Sequence, residues 1–410
     1  MISALDKSNF SLKNFLILLI SLFPFTLLIG SAFINSTIIL IDLLFLSILI
    51  KEKKINFFNQ QTFYLLLFLW ISLMINMLLS TNIENSFSRT IGFIRFIIFI
   101  FAIKFVLNKN EADSKMIFTV WLSLFLIVTF DIIFETIFGF NTLGFQNNFP
   151  GRVSSFLNNE LKIGNFYFGF VLFSLSCIFY NFKNKNYFML FVFLFTITSL
   201  VTGERSNFLK IFIIVLIFFF LMDKSLFWKK ITLIFAFLSA LLLIINLSTH
   251  KDRFINQTFK TLSNVNYSVV QYLKYSPYGA HYDTAFEIFK DNPYFGVGLK
   301  NFRNESGKDK YKNPEFIFSN HRQTTHPHQL HFEFLAETGL FGYAAFFIFF
   351  YFFLVRSIRV QFINKNLYQL SGILVVLITF LPLIPSGSFF TTYGASIFWL
   401  NFAVVEAFND

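Results

Sequence analysis

The chain is 410 residues long, 55% hydrophobic and only 13% charged, with a formal net charge of +11. A soluble globular protein carries about a quarter charged residues, so that class is excluded. A nucleic-acid binder is excluded as well, because the basic residues are scattered through short loops rather than gathered in one patch. Cys177 is the only cysteine and lies in an apolar run, which leaves no intrachain disulfide and no cysteine-based metal centre.

About 20 apolar residues cross the hydrocarbon core as a helix. Runs of this kind predict twelve spans, at 13–30, 33–50, 62–79, 87–107, 115–138, 163–181, 187–202, 206–222, 229–247, 328–354, 367–384 and 388–408. The first begins in MISALDKSNFSLKNFLILLISLF, which resembles a signal peptide. It has no small-residue cleavage site, so it is read as a retained span. Every second loop is basic: KEKK, NKNEADSK, NFKNKN, DKSLFWKK and RSIRVQFINK. The alternate loops STNIENS, TGERS and PSGS carry at most one basic residue. Positive charge stays inside, so both termini are expected in the cytoplasm. Two long segments, 139–162 and 248–327, are then external. The expected organisation is nine helices over 1–247, a large periplasmic loop at 248–327, and three helices over 328–410. In that loop AHYDTAFEIFKDNP places Tyr282, Ala285, Phe286 and Phe289 on one helical face, which predicts a short helix on the membrane surface or over a cavity.

Ionisable groups at membrane depth cost a few kcal/mol each unless paired or hydrated. Arg205 in TGERSNF is the sole basic residue of a tight external turn, beside Glu204. Arg152 lies in the polar loop FPGRVSSFLNNE. Each reads either as an interface arginine or as a fixed cation facing an outer-leaflet anion. Asp42, Arg89, Arg95, Asp131 and Glu135, all inside spans, are expected to form ion pairs that hold helices together.

The tenth span opens with HRQTTHPHQLHFEFLAETGLFG at 321–342, which holds four of the six histidines. His328 and His331 are expected on one helical face, with Pro327 near the first helical position and His326 just before. Glu337 is expected about 13 Å along the axis from His328 and half a turn out of phase, suited to fixing the helix rather than relaying protons. Gly339 and Gly342 would let a neighbouring helix approach. Three readings of the histidines stay open on spacing alone: zinc ligands without a carboxylate or cysteine at ligand spacing, interfacial residues without chemistry, or a neutral imidazole acting as general base.

HPHQLHFEFLAETGLFG resembles the signature of the O-antigen ligase and polymerase superfamily, with His328 on the family histidine, Glu337 on its glutamate and Gly339 and Gly342 on its glycines. His326 matches an extra histidine found in many members. GRVSSFLNNE, TGERSNF and FEIFKDNPYFGVGLKNF resemble further family segments in the same order, so the likeness covers about 150–345 in detail. Two positions depart. Gln329 stands where an asparagine is usual, and His281 stands where an arginine is usual, with Lys274 or Arg303 as substitute cations.

The resemblance implies an all-α, GT-C-like membrane glycosyltransferase of about twelve spans. It would move a glycan from an undecaprenyl diphosphate carrier to an acceptor hydroxyl at the periplasmic face of the inner membrane, with inversion and without a metal or other cofactor. Arg205, Arg152 and His281 would hold the diphosphate, and His328, with His326 second, would be the base. Lipid A–core is the expected acceptor, with a growing glycan or a protein as alternatives within the family. Membrane lipid is the remaining expected partner, and nucleic acid is not one. A polytopic transporter or flippase is the reading from another class. The absence of an internal repeat and the one-sided gathering of the polar residues speak against it.

Overall fold

The computed structural model describes residues 12–409, apart from 147–148, 159, 183–184, 267 and most of 223–260. All regular structure among the described residues is helical. The chain runs through α1 (Leu12–Ile29), α2 (Ser31–Lys51), α3 (Gln61–Leu78), α4 (Ile83–Ile91), α5 (Ile94–Lys109) and α6 (Glu111–Phe138). It continues through α7 (Ile163–Asn181), α8 (Lys185–Val201) and α9 (Arg205–Met222). Two short helices of the large loop follow, α10 (Val269–Lys274) and α11 (Pro277–Asp291), and then α12 (Leu330–Asn364), α13 (Leu367–Thr379) and α14 (Thr392–Ala407). Among the described residues eight helices are long and apolar enough to cross a membrane. The ninth expected span, 229–247, lies outside the described residues.

Burial sorts the helices into a centre and a rim. α7 and α14 are buried along almost their whole length, and α14 packs on α5, α13 and α7. A side chain buried on every face belongs at the centre of a bundle. Rim helices instead expose large apolar residues, such as Leu43, Phe68, Phe130 and Ile348, as a lipid-facing surface must. The phenylalanines that serve as lipid-facing cover outside also fill the inside: Phe353 stacks on Phe402 with ring centroids 3.8 Å apart, and Phe118 on Tyr368 at 3.7 Å.

Three expected spans change shape. The fourth is broken into α4 and α5 at Gly92 and Phe93. The eleventh stops at Thr379, because Pro382 and Pro385 follow and cannot continue a helical ladder. The tenth begins at Leu330, is broken at Gly339 and runs on to Asn364, ten residues past its expected end.

The expected ion pairs within spans are not what the acids make. Asp131 accepts from the Thr142 amide (2.8 Å) and the Ser155 hydroxyl (2.5 Å), and Glu135 accepts from the Ser155 amide (2.6 Å). Both pin the 141–157 segment to α6. A buried ion pair joins Lys104 to Glu406 (3.1 Å), with side chains 1% and 0% exposed, and Arg356 at 3.6 Å, Thr62 and Asn409 add to it. This network ties α5, α12, α3 and α14 together at the end of the bundle remote from the large loop.

Candidate functional site

The site is organised by the first turns of α12. Gln329 caps the helix, its side chain accepting from the Phe332 amide at 3.0 Å. One turn later Glu333 accepts from the Ser388 hydroxyl and from the Phe389 amide (2.9 Å). Another turn on, Glu337 accepts from the Phe302 amide (3.3 Å). Residues four apart share a helix face, so these two buried carboxylates hold two different loops against one stripe.

Then the helix breaks. Gly339 has φ 63° and ψ −169°, a region open essentially to glycine alone. The break frees backbone groups that must find partners, and the 293–298 segment supplies them. Ala336 O and Glu337 O accept from the amides of Val297 (3.0 Å) and Gly298 (2.8 Å), while the Leu340 and Phe341 amides donate to Pro293 O (2.8 Å) and Tyr294 O (2.9 Å). Asn76 of α3 donates to Glu337 O (3.0 Å) and to Phe295 O. What approaches Gly339 is therefore this loop and not a helix. At Gly342 the atoms nearest an added Cβ belong to Thr338 of its own preceding turn.

The two loops and the stripe border a small cavity, open to solvent and lined by Arg89, Lys300, Arg303, His326 and Glu337, with Thr325, Ser388, Phe390 and Thr391 completing its wall. Arg89 comes from α4 and donates to the Thr392 hydroxyl at 3.0 Å. Lys300 is held at φ 66° between the loop turns. Burial and the nearby Arg89 and Arg303 push the Lys300 ammonium below its ordinary value, and Glu337 opposes them only in part. Three cations against one carboxylate leave the cavity suited to an anion.

His326 lines the cavity, its Nδ1 2.9 Å from the Thr325 hydroxyl and its buried Nε2 without a well-formed hydrogen bond. His328 lies directly behind, with ring centroids 4.1 Å apart, and His281 of α11 is 5.3 Å beyond His328. His281 is buried with its Nδ1 3.3 Å from the Arg322 carbonyl. A carbonyl only accepts, so that nitrogen carries the proton. Burial, then the neighbouring imidazoles, lowers His326 to about 3, and burial, then His281, lowers His328 to about 4. Both rings are neutral at physiological pH.

Two expectations about this segment are corrected. His328 is not on the helix: it sits in left-handed backbone at φ 59°, its carbonyl accepting from the Ser386 amide at 2.7 Å, and α12 starts only at Leu330. Pro327 is accordingly not its first helical residue, and the phase argument separating Glu337 from His328 does not apply. His331 does not join the cluster. Its nitrogens are engaged by the Tyr343 hydroxyl (3.0 Å) and Phe380 O (2.8 Å).

α11 forms as expected, but its buried face is His281, Tyr282, Thr284, Ala285 and Ile288, with Phe286 exposed. It packs on α12, with Tyr282 stacked on Phe332 at 5.0 Å, and so carries His281 to His328. Lys274 instead pairs with Glu315 at 2.6 Å.

Arg152 and Arg205 are not among the residues lining the cavity. The 152 segment lies against the turn before α9, with the Val153 amide donating to Thr202 O (3.2 Å), and Glu204 accepts from the Gly164 amide (2.8 Å). Arg205 opens α9, half-buried. Tyr393, two residues after Thr391, joins this shelf to the cavity wall through its contact with Lys162 O (3.4 Å). Arg89, Lys300, Glu333 and the 386–391 segment were not singled out as site residues. The only sequence signal for them is a charged or polar residue among apolar ones, which is not specific.

The fold and site define a class: a multi-pass helical membrane protein with a cation-lined, imidazole-bearing cavity at one end of its bundle. Residues 188–347 match the family model described as O-antigen ligase, and this segment belongs to the O-antigen ligase superfamily. The match ties the chain to glycan transfer in O-antigen assembly. It contains TGERSNF, the Pro–Gly segment and the histidine motif, and leaves GRVSSFLNNE outside. No curated protein matches the chain.

Proposed function

We propose that the protein transfers a glycan from a polyprenyl diphosphate carrier to an acceptor hydroxyl at the periplasmic face of the inner membrane, the acceptor being lipid A–core. The observation that carries the reading is the meeting of Arg89, Lys300 and Arg303 with the neutral His326 ring in one cavity. In the reaction the acceptor oxygen attacks the anomeric carbon and its proton passes to His326. The bond from that carbon to the phosphate oxygen breaks, the electron pair leaves with the diphosphate, and the three cations meet the developing charge. A single displacement inverts the anomeric centre.

His328 and His281 pack behind the His326 ring. Arg152 and Arg205, expected on the diphosphate, lie outside this cavity, on the shelf beyond Tyr393. The experiment is transfer by the purified full-length protein from a carrier-linked glycan to lipid A–core. Arg89→Gln with Arg303→Gln should reduce the rate at least about a hundredfold, as loss of more than one charge-stabilising donor does, with the membrane level unchanged. Transfer at the normal rate overturns the reading. In a deletion strain, long glycans should persist on the carrier while none is attached. Chains shortened to a single unit would mean polymerisation instead.

A further inference from the structure

The chain that leaves α6 holds no charged residue from Thr136 to Gly151, and its apolar side chains point outward. Phe138, Phe140, Leu143 and Phe145 are all exposed, Leu143 as fully (64%) as the lipid-facing Phe130 of α6 (63%). Apolar residues exposed singly are ordinary, but a run of four needs a partner. The run continues the lipid-facing side of α6. Rings climb from Phe130 through Phe134 and Phe138 to Phe140, with successive centroids 6.2, 4.5 and 6.2 Å apart. Lys115 is the last basic residue of α6, and about 20 residues on from it the hydrocarbon ends near Glu135. The four side chains therefore stand at the far boundary, the level at which aromatic rings anchor membrane proteins.

The backbone of the turn points the same way. A non-helical segment can sit against lipid only if its amides bring their own acceptors. Five successive amides do so here. The Asn141 amide donates to Phe145 O (2.9 Å) and the Gly144 amide to Asn141 O (2.9 Å), with Gly144 in left-handed backbone at φ 84°. The Thr142 amide donates to Asp131 Oδ1 (2.8 Å), and the Leu143 and Phe145 amides to Asn141 Oδ1 (3.0 and 2.9 Å). Asn141 is buried beneath the turn and donates to Ser155 O (2.8 Å). A turn standing in water has no need of this, because water satisfies its amides. We infer that residues 138–145 are an interfacial anchor, set into the leaflet on the cavity side of the bundle, with Phe138, Phe140, Leu143 and Phe145 against bilayer lipid and Asn141 facing the protein. A second copy of the chain is the rival occupant, but it would have to cover the continuous lipid-facing side of α6 as well. Through Asp131 and Glu135, which hold Thr142, Ser154 and Ser155, the anchor sets the depth of the stretch that follows Arg152.

The test is nitroxide labelling of the full-length protein in lipid nanodiscs, at Leu143→Cys and separately at Phe145→Cys, with the buried Cys177 replaced by alanine. Both positions are exposed, so neither change opens the core. Phe130→Cys on α6 is the lipid reference, and Lys312→Cys, exposed on the large loop, is the water reference. At positions 143 and 145 oxygen should meet the label as often as at position 130. A water-soluble nickel chelate should meet it about tenfold less often than at position 312, because a polar solute is excluded from the apolar boundary. Chelate collisions at the level of position 312 overturn the inference. Protection from oxygen and chelate alike, with dipolar broadening between labels, also overturns it and puts a second copy of the chain on the patch. Glycan transfer takes no part in the readout, so the anchor stands or falls apart from the reaction proposed above.

Discussion

Replacing Gly339 by alanine probes whether the break in α12 is what assembles the site. The native backbone there has φ 63° and ψ −169°, and an added Cβ would lie 2.5 Å from the Tyr294 carbonyl carbon and oxygen and 2.6 Å from the Gly296 nitrogen. All three atoms are backbone, so no flexible side chain can move aside. The conformation alone costs an L-residue about 1–3 kcal/mol, and forced overpacking adds about 1–3 kcal/mol. Escape requires shifting the 293–298 segment, which loosens four backbone hydrogen bonds between that segment and the broken helix, each worth roughly 1 kcal/mol net. Whichever route the protein takes, the loss is about 3–5 kcal/mol and falls on the segment that leads into Lys300 and Arg303. The assay pairs a thermal melt of the purified membrane protein with protease protection of the large loop. The variant should insert normally, melt lower and be cut within the loop. A Gly339→Ala protein with unchanged melting and unchanged protection would refute the idea that the loop is splinted to this break.

Three further outcomes follow from the same structure. Lys104→Ala should destabilise by about 3–5 kcal/mol, because it takes the nearest cation from a fully buried Glu406 and leaves only the more distant Arg356, and Glu406→Gln in the same chain should recover much of it; a thermal melt reads both. His326 and His328 are held below their ordinary value, so the folded protein refuses protons that the unfolded chain would bind above about pH 4. Stability should therefore be greatest above about pH 6.5 and fall on acidification toward the folded values, while the transfer kcat/KM stays flat from about pH 5 to about pH 8. A rate profile with a rising limb centred near 6.5 would contradict this. His331→Phe should lower the melting temperature while leaving the transfer KM close to normal, whereas His326→Ala should abolish transfer without moving the melt; equal effects on transfer would erase the distinction drawn between the two rings.

Much of the bundle was legible because a membrane helix must satisfy its backbone internally over a fixed thickness. That constraint makes long apolar runs specific, and α1, α2, α3, α6, α7 and α9 begin and end within a few residues of the expected spans. The runs misled where apolar character and helicity part company. Residues 380–391 are apolar enough to extend two helices toward each other, yet two prolines and the hold of Glu333 on Ser388 and Phe389 keep them as a loop. The ion pairing was misassigned for a related reason. Hydropathy marks a charge as costly but does not name its partner, and amides of a folded loop satisfy Asp131 and Glu135 as well as a cation would.

The histidines show where the reading of a site from spacing stops. The motif marked a stretch of chain whose His326 lines the cavity, but a helical register was assumed for His328, and a left-handed residue breaks that register completely. Pro327 was read as a helix-start residue, but Gln329 is the cap, and the His328 carbonyl is held by the Ser386 amide, almost sixty residues later. The cations were harder still. Arg89, Lys300 and Arg303 come from α4 and from the large loop, and only the pairing of the 293–298 segment with a broken α12 brings them to one cavity. Arg303 was a candidate substitute for a missing arginine, and its place beside Lys300 and Arg89 gives a physical reason for a histidine at 281. Once other groups supply the positive charge, the α11 position is free to carry a neutral ring against His328. A guanidinium there would add a buried like charge beside a site that already holds three cations.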